Sequence, residues 1–229
     1  MIALLIVNAS VITVDPQRRV FARGAIAVHG SKILEVDQAD LLAAKYQAKT
    51  VIDGAGKIAL PGFINCHMHL PQVLMRGVND NVEVMDKLKR YIWPIQGNYK
   101  ASDVLISSRL GFLEMIKSGT TAFLGTGMHP RYGIDAIAQA MLDSGMRGVL
   151  SKYVMDVTGY AQDQTALHRG VWEDSRDALR LTEALIERWH GAGNGRLQIW
   201  YSPRSVGGVS KELFIEISRL ALEKGVGIT

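Results

Sequence analysis

The chain has 229 residues, 48% of them apolar and 21% charged, with a formal net charge of +4. That length admits one large domain or one domain with a small companion, and the apolar fraction is ample for a buried core. The cations are scattered, with the densest runs at Gln17–Arg19 and Lys87–Arg90 among polar neighbours, so a nucleic-acid stripe, which needs cations clustered on one face, is not expected.

The N-terminal "MIALLIVNASVITVD" is apolar but has no leading positive charge and no small-residue cleavage site. It is far too short to span a bilayer and reads as a strand. Further β signals follow in "GAIAVHGSKILEVD", with a Gly-Ser turn, and in "TVIDGAGKIAL". Short alternating runs separated by Asn, Asp and Gly predict a small antiparallel sheet over residues 1–57, with one short helix in "QADLLAAKYQAK". The one cysteine, Cys66, excludes an intrachain disulfide framework and any Cys-rich zinc module. It agrees with a reducing, cytoplasmic setting.

From residue 58 the rhythm changes to alternating strand and helix. "KIALPGFINCH" reads as a strand and "SDVLISSRLGFLEMIKSG" as a helix, with Ser102 as its N-cap and Gly119 as its C-terminal glycine. Then "TTAFLG", "RGVLSKYVMD" and "RLQIWYS" read as strands, separated and followed by the helices "GIDAIAQAMLDSG", "DSRDALRLTEALIERWHG" and "SKELFIEISRLALEKG". Apolar strands joined by helical crossovers predict an α/β fold with a parallel sheet and helices outside it.

A doubly wound sheet and a (β/α)8 barrel both fit this rhythm. "PGFINCHMH" has one glycine where a dinucleotide fingerprint needs three. Five strands and four helices are counted after residue 57, against eight of each and typically about 250 residues for a closed barrel. The last strand begins only at "VGIT".

In "CHMH" the residues at i and i+2 of a strand face the same way. His67 and His69 therefore present both imidazoles together, with Cys66 and Met68 turned to the helix layer. Two such ligands suit one metal ion, but a catalytic zinc site usually has at least three protein ligands and an open position. The alternative is an ordinary pair of surface histidines. Its place at the end of an apolar strand, where a barrel opens its pocket, favours the metal.

"VIDGAGKIALPGFINCHMHLPQVLMRG", the later "SGTT" and "SPRSVGG" resemble the amidohydrolase superfamily. The likeness is to the branch of guanine, S-adenosylhomocysteine and methylthioadenosine deaminases and triazine chlorohydrolases. It runs along nearly the whole chain. It implies the N-terminal portion of a (β/α)8 barrel with a small flanking β-sandwich, residues 1–57 contributing to the sandwich and residues 58–229 forming the first five strands and four helices of the barrel. It makes His67 and His69 the ligands of one divalent ion, zinc by expectation and iron as the alternative. The remaining ligands and the proton-transferring residue, a Glu, two His and an Asp in this branch, are expected beyond Thr229.

The same resemblance makes Gln72 and Arg204 the residues that hold a purine edge, although Ser205 stands where the branch usually has Phe. An amide and a guanidinium offer complementary donors and acceptors to such a ring. Arg76 and Trp93 lie in the loop that walls the pocket, Trp93 reading first as a packing anchor. His129, after the second strand, is placed to approach a ligand. His29, His168 and His190 read as structural or solvated, His190 suiting a helix C-terminus. Lys152 is on the third strand, whereas the carboxylated lysine of two-metal relatives belongs on the fourth, which favours a single ion.

The function implied is hydrolytic deamination of a purine-like N-heterocycle by a metal-activated water. The alternatives are a chlorohydrolase or amidohydrolase of an s-triazine-like ring, or a non-catalytic half-barrel. The partner is a small heterocycle, without nucleic acid or membrane; a homo-oligomer is left open.

Overall fold

The computed structural model describes residues 1–78, 80–157, 167–205 and 207–229. The chain divides into two compact units, Met1–Gly62 and Phe63–Thr229.

The first unit holds β1 (Ile2–Ile12), β2 (Val20–His29), β3 (Lys32–Gln38), α1 (Ala39–Lys45), β4 (Ala48–Asp53) and β5 (Ile58–Ala59). The sheet order is β3-β2-β1-β4, with β5 also on β1. Gly30, at φ +58°, makes the tight turn between β2 and β3. The expected antiparallel sheet is only half of what forms. β1–β2 and β2–β3 are antiparallel, but β4 and β5 run parallel to β1. The cause is α1, which carries the chain back across the sheet before β4 begins. Ile2, Leu5, Ala25 and Ala27 pack on Ala39 and Leu42 of that helix as a core of their own.

The strand expected over 57–67 is also divided. Ile58–Ala59 joins the first unit's sheet, and the next strand, β6, starts only at Phe63. Pro61 cannot donate to a ladder and Gly62 weakens one, so the pairing breaks between them.

The second unit continues from β6 (Phe63–Met68) through a 3-10 turn at Leu70–Met75 to α2 (Val84–Lys87), a π-turn at Leu88–Ile92 and α3 (Trp93–Asn98). Next come α4 (Ala101–Lys117), β7 (Thr120–Met128), α5 (Ile134–Asp143) and β8 (Arg147–Val154). The described chain ends with α6 (Ser175–Trp189), α7 (Ala192–Gly195), β9 (Leu197–Pro203) and α8 (Lys211–Lys224). The strands lie in the order β6-β7-β8-β9, all parallel. Of the fifth expected strand, Ile228 makes one parallel bridge to Tyr201.

Helix boundaries follow local chemistry. Asp174 caps α6 by accepting from the Arg176 and Asp177 N–H groups, and the Ser210 hydroxyl accepts from Leu213 at the start of α8. Ser102 is not the cap of α4. The helix starts at Ala101, and the Asp103 carboxylate accepts the Lys100 N–H at 2.9 Å, which moves the boundary two residues back. Gly119 ends the same helix at φ +81°.

The helices bury apolar faces on one side of the sheet. Phe112 of α4 meets Phe123 of β7 with ring centroids 5.6 Å apart, inside a core that also contains Ile137, Leu150, Ile199 and Ile217. Phe112 is 1% exposed. Truncation to alanine leaves a cavity that this packing does not fill, so Phe112→Ala is expected to cost about 3–5 kcal/mol. Urea unfolding of the variant beside wild type measures it, and Phe112→Leu is expected to lose less than half as much.

Candidate functional site

The C-terminal ends of β6 to β9 form one rim, and chemistry-bearing residues collect there. His67 lies in β6 and His69 just past its end, at φ −106°, ψ 89°. Their Nε2 atoms are 3.1 Å apart, with ring centroids separated by 4.9 Å and planes 81° apart. Two bonds of about 2.0–2.1 Å from one zinc ion, opened by roughly 100°, span that distance. The two imidazoles thus fit a shared ion on their Nε2 atoms. Among the described residues no group of three or more His, Cys, Asp or Glu forms around them.

His69 is held neutral. Burial pushes its pKa down to about 4, helped by neighbouring His67 and by the positive charge of Arg204. Neutral imidazole is the ligating form. Its Nδ1 is buried against the Thr126–Gly127 backbone without a hydrogen bond of good geometry. Gly127 sits at φ +90°, and a Cβ there would stand 3.0 Å from that Nδ1 and 3.3 Å from the Tyr153 ring and hydroxyl. Only glycine fits.

Cys66 does not turn to the helix layer with Met68. Three steps along β6, Asn65 to Met68, oppose two along β7, Phe123 to Gly125. This irregularity rephases the strand. Met68 stays on the core, whereas Cys66 is exposed and lines a shallow apolar hollow with Ile64, Ala122, Leu124 and Val149. That hollow extends to Arg147 and Arg196 at the opposite strand ends, away from the histidines.

Gln72 is half-buried in the 3-10 turn, where its backbone N–H donates to the His69 carbonyl at 2.9 Å. Trp93 is 1% exposed at the start of α3. It is both the expected packing anchor and a cation–π partner, with Arg204 Cζ 5.4 Å from its ring centroid. Arg204 follows β9, and its backbone N–H donates to Val154 at 3.2 Å. Val206 of the "SPRSVGG" motif lies outside the described residues.

His129, after β7, is 1% exposed and set edge-on to Tyr132 at 5.1 Å and Tyr153 at 5.2 Å. Burial drives its pKa well below the ordinary value, and the cations Arg204, Lys152 and Arg131 add to the shift. Its Nε2 is buried without a hydrogen-bond partner among the described residues.

Arg76 does not wall this pocket. Its guanidinium turns outward to both carboxylate oxygens of Glu114 on α4, each at 2.7 Å. Lys152 is 1% exposed, and its Nζ donates to Glu173 at 2.5 Å and to the Tyr153 carbonyl at 2.7 Å. Its amine is thus committed to a buried ion pair. His168 accepts from the Gly170 N–H and packs on Gly97, where a side chain would collide with its ring. His190 ends α6, and its Nδ1 meets the Ile199 backbone.

The residue that sequence reading missed is Tyr153. Its signal was present: an aromatic at the C-terminal end of a parallel strand, two positions beyond Ser151 on the same face.

The description of the amidohydrolase family matches residues 58–229. The chain belongs to the amidohydrolase family. It is 32% identical over 227 residues to the 5'-deoxyadenosine deaminase of Methanococcoides burtonii, covering 98% of this chain and 47% of that one. It is 33% identical over 219 residues to the 5-methylthioadenosine/S-adenosylhomocysteine deaminase of Bacillus cereus, covering 95% and 47%. Among solved amidohydrolase-like structures, the atrazine chlorohydrolase of Arthrobacter aurescens TC1 complexed with zinc is similar, with TM-score 0.83, 26% identity and coverage of 98% and 52%. The adenosine deaminase of Xanthomonas campestris with bound zinc shares the fold, with TM-score 0.85, 21% identity and coverage of 99% and 48%. This amidohydrolase chain thus spans about half the length of the curated relatives it matches.

The buried histidine gives a pH signature with a definite sign. Unfolded, the His129 imidazole takes a proton near pH 6.5; folded, it does not until well below that value. The unfolded chain therefore binds more protons as pH falls through 6.5, and stability drops, by up to about 1.4 kcal/mol per pH unit. His129→Phe keeps a ring between the tyrosines and removes the proton site. Denaturation at pH 7, 6 and 5 is expected to show a shallower loss in the variant by about one proton.

Proposed function

We propose that this chain carries two metal ligands and the ring-recognising edge of a metal-dependent hydrolase, and that the protein deaminates a purine-like N-heterocycle. The observation that carries the reading is the 3.1 Å convergence of His67 and His69 Nε2 at the C-terminal strand ends. Relatives named as deaminases of adenosine-like compounds support the choice of reaction. In this reading β6 to β9 are the first four strands of a (β/α)8 barrel, of which residues 58–229, the stretch the family description matches, supply the first five strands and four helices. The first unit then contributes to a small β-sandwich. Zinc is the expected ion, with iron the alternative. Among the described residues no helix is long and apolar enough to cross a membrane.

His67 and His69 would hold the ion, which would supply the Lewis acidity that makes water a nucleophile at neutral pH. This chain's residues do the rest of what can be assigned to it. Arg204 offers planar N–H donors to ring nitrogens or a carbonyl, and Gln72 an amide that both donates and accepts. His129 presents a neutral, unsatisfied ring nitrogen, and Trp93 closes the floor beside Arg204. The general base is assigned to none of the described residues, because the half-buried carboxylate at this rim, Glu173, is bound to Lys152.

The similarity to a chlorohydrolase at 26% identity favours one second reading, displacement of chloride from an s-triazine-like ring. The test uses metal analysis and product assays on the purified full-length protein. One divalent ion per polypeptide and ammonia release from adenosine, 5'-deoxyadenosine or guanine are expected. His67→Ala and His69→Ala are each expected to lose the ion and more than about a hundredfold in rate, the several kcal/mol that Lewis-acid catalysis supplies. Chloride release without ammonia would install the second reading. Absence of metal and of both products would overturn the two together.

A further inference from the structure

We propose that Tyr153 is a positioning residue that fixes the guanidinium of Arg204, so that its donor edge is already oriented before a heteroaromatic ligand arrives. The inference rests on the assignment of Arg204 to the substrate edge.

Tyr153 is the penultimate residue of β8, where two neighbouring strands bring candidate functional residues to the same level. Lys152, one residue earlier, pairs with Met128 of β7 on one side and Tyr201 of β9 on the other. The chain beyond Met128 delivers His129, and the chain beyond Pro203 delivers Arg204. Three groups meet on this phenol: Arg204 Cζ lies 5.0 Å from its centroid, the His129 ring 5.2 Å away at 62°, and Gly127 leaves the room its edge and hydroxyl occupy. Through Gly127 the phenol also abuts the space beside His69 Nδ1.

Core packing does not account for this placement. Tyr132 and Tyr201 are fully buried members of the hydrophobic core, whereas Tyr153 is half-buried and outside it. A guanidinium lying over aromatic faces loses the freedom to rotate out of plane, while its N–H groups stay available at the edge. Trp93 supplies a second face at 5.4 Å. Holding a long side chain in its binding geometry removes an ordering cost from ligand capture.

The test compares Tyr153→Phe, Tyr153→Leu and Tyr153→Met with wild type, all checked for cooperative thermal unfolding. The Arg204 δ-methylene proton signals, assigned by their loss in Arg204→Lys, should be shifted upfield by the two rings. The shift is expected to persist in Tyr153→Phe and to shrink in the leucine and methionine variants. With adenosine as the probe, the KM should rise about tenfold in the leucine variant and stay within about twofold of wild type in the phenylalanine one. The double variant Tyr153→Leu/Arg204→Lys should be no weaker than Arg204→Lys alone, because the two residues act as a unit. Arg204 signals unmoved in both ring-removing variants would overturn the proposal, as would additive losses. If wild type does not bind adenosine, the purine reading fails by itself, and the Arg204 signals still decide whether Tyr153 holds the guanidinium.

Discussion

Everything at the candidate site depends on the parallel register of β6 to β9. In a parallel sheet every strand presents the same end to the same rim, so residues far apart in sequence arrive together without any long-range design of loops. Here Met68 pairs with Gly125, Met128 with Lys152, and Val154 with Pro203. The residues next along each strand, His69, His129, Tyr153 and Arg204, are thereby delivered to one edge. Hydroxyls beneath them tie the strands across the sheet face. Thr126 and Ser202 share a buried hydrogen bond of 2.9 Å across β8, and Ser151 donates to the Gly125 carbonyl at 2.8 Å.

The charge balance at this rim follows from what burial tolerates. His69 and His129 are forced neutral by desolvation, and the neighbouring cations push the same way. Lys152 is buried together with Glu173, so the strand-three amine is satisfied locally and not offered to a metal. The result is a neutral His69 suited to a cation, a neutral His129 with a free ring nitrogen among the described residues, and a guanidinium suited to a polar ring edge. Among the described residues, the carboxylate beside this rim, Glu173, is tied to Lys152.

Much of this was legible in the sequence for physical reasons. Apolar runs bounded by Gly and helical periodicity located β7, β8, β9 and the helices α4, α5, α6 and α8, because each buries one face on a common core. The i, i+2 spacing of His67 and His69 was sufficient to bring their rings together. What could not be read depends on contacts between distant segments. The irregularity between Asn65 and Met68 exposes Cys66, and the α1 crossover turns β4 parallel to β1. The outward pull of Glu114 on Arg76, the gathering of Tyr132 and Tyr153 around His129, and that of Trp93 and Tyr153 around Arg204 are likewise tertiary facts.

The site's rigidity comes from different sources on its two sides. His67 lies in the irregularity between Asn65 and Met68, where its N–H donates to the Asn65 side-chain oxygen at 3.2 Å, and His69 is set by the following 3-10 turn and the close approach of Gly127. Arg204 and His129 lie beyond strand ends, where loops usually carry mobility. Their order has to come from packing. Arg131 donates to the Gly97 carbonyl, pulling the turn after His129 against α3, the helix that carries Trp93. His168 and Gly170 fill the remaining space at Gly97 so closely that no side chain fits. The same knot that seats α3 therefore seats the aromatic ring beneath Arg204. Preorganisation of this kind is expected where the reacting ring must be held against an ion with an error well below an ångström.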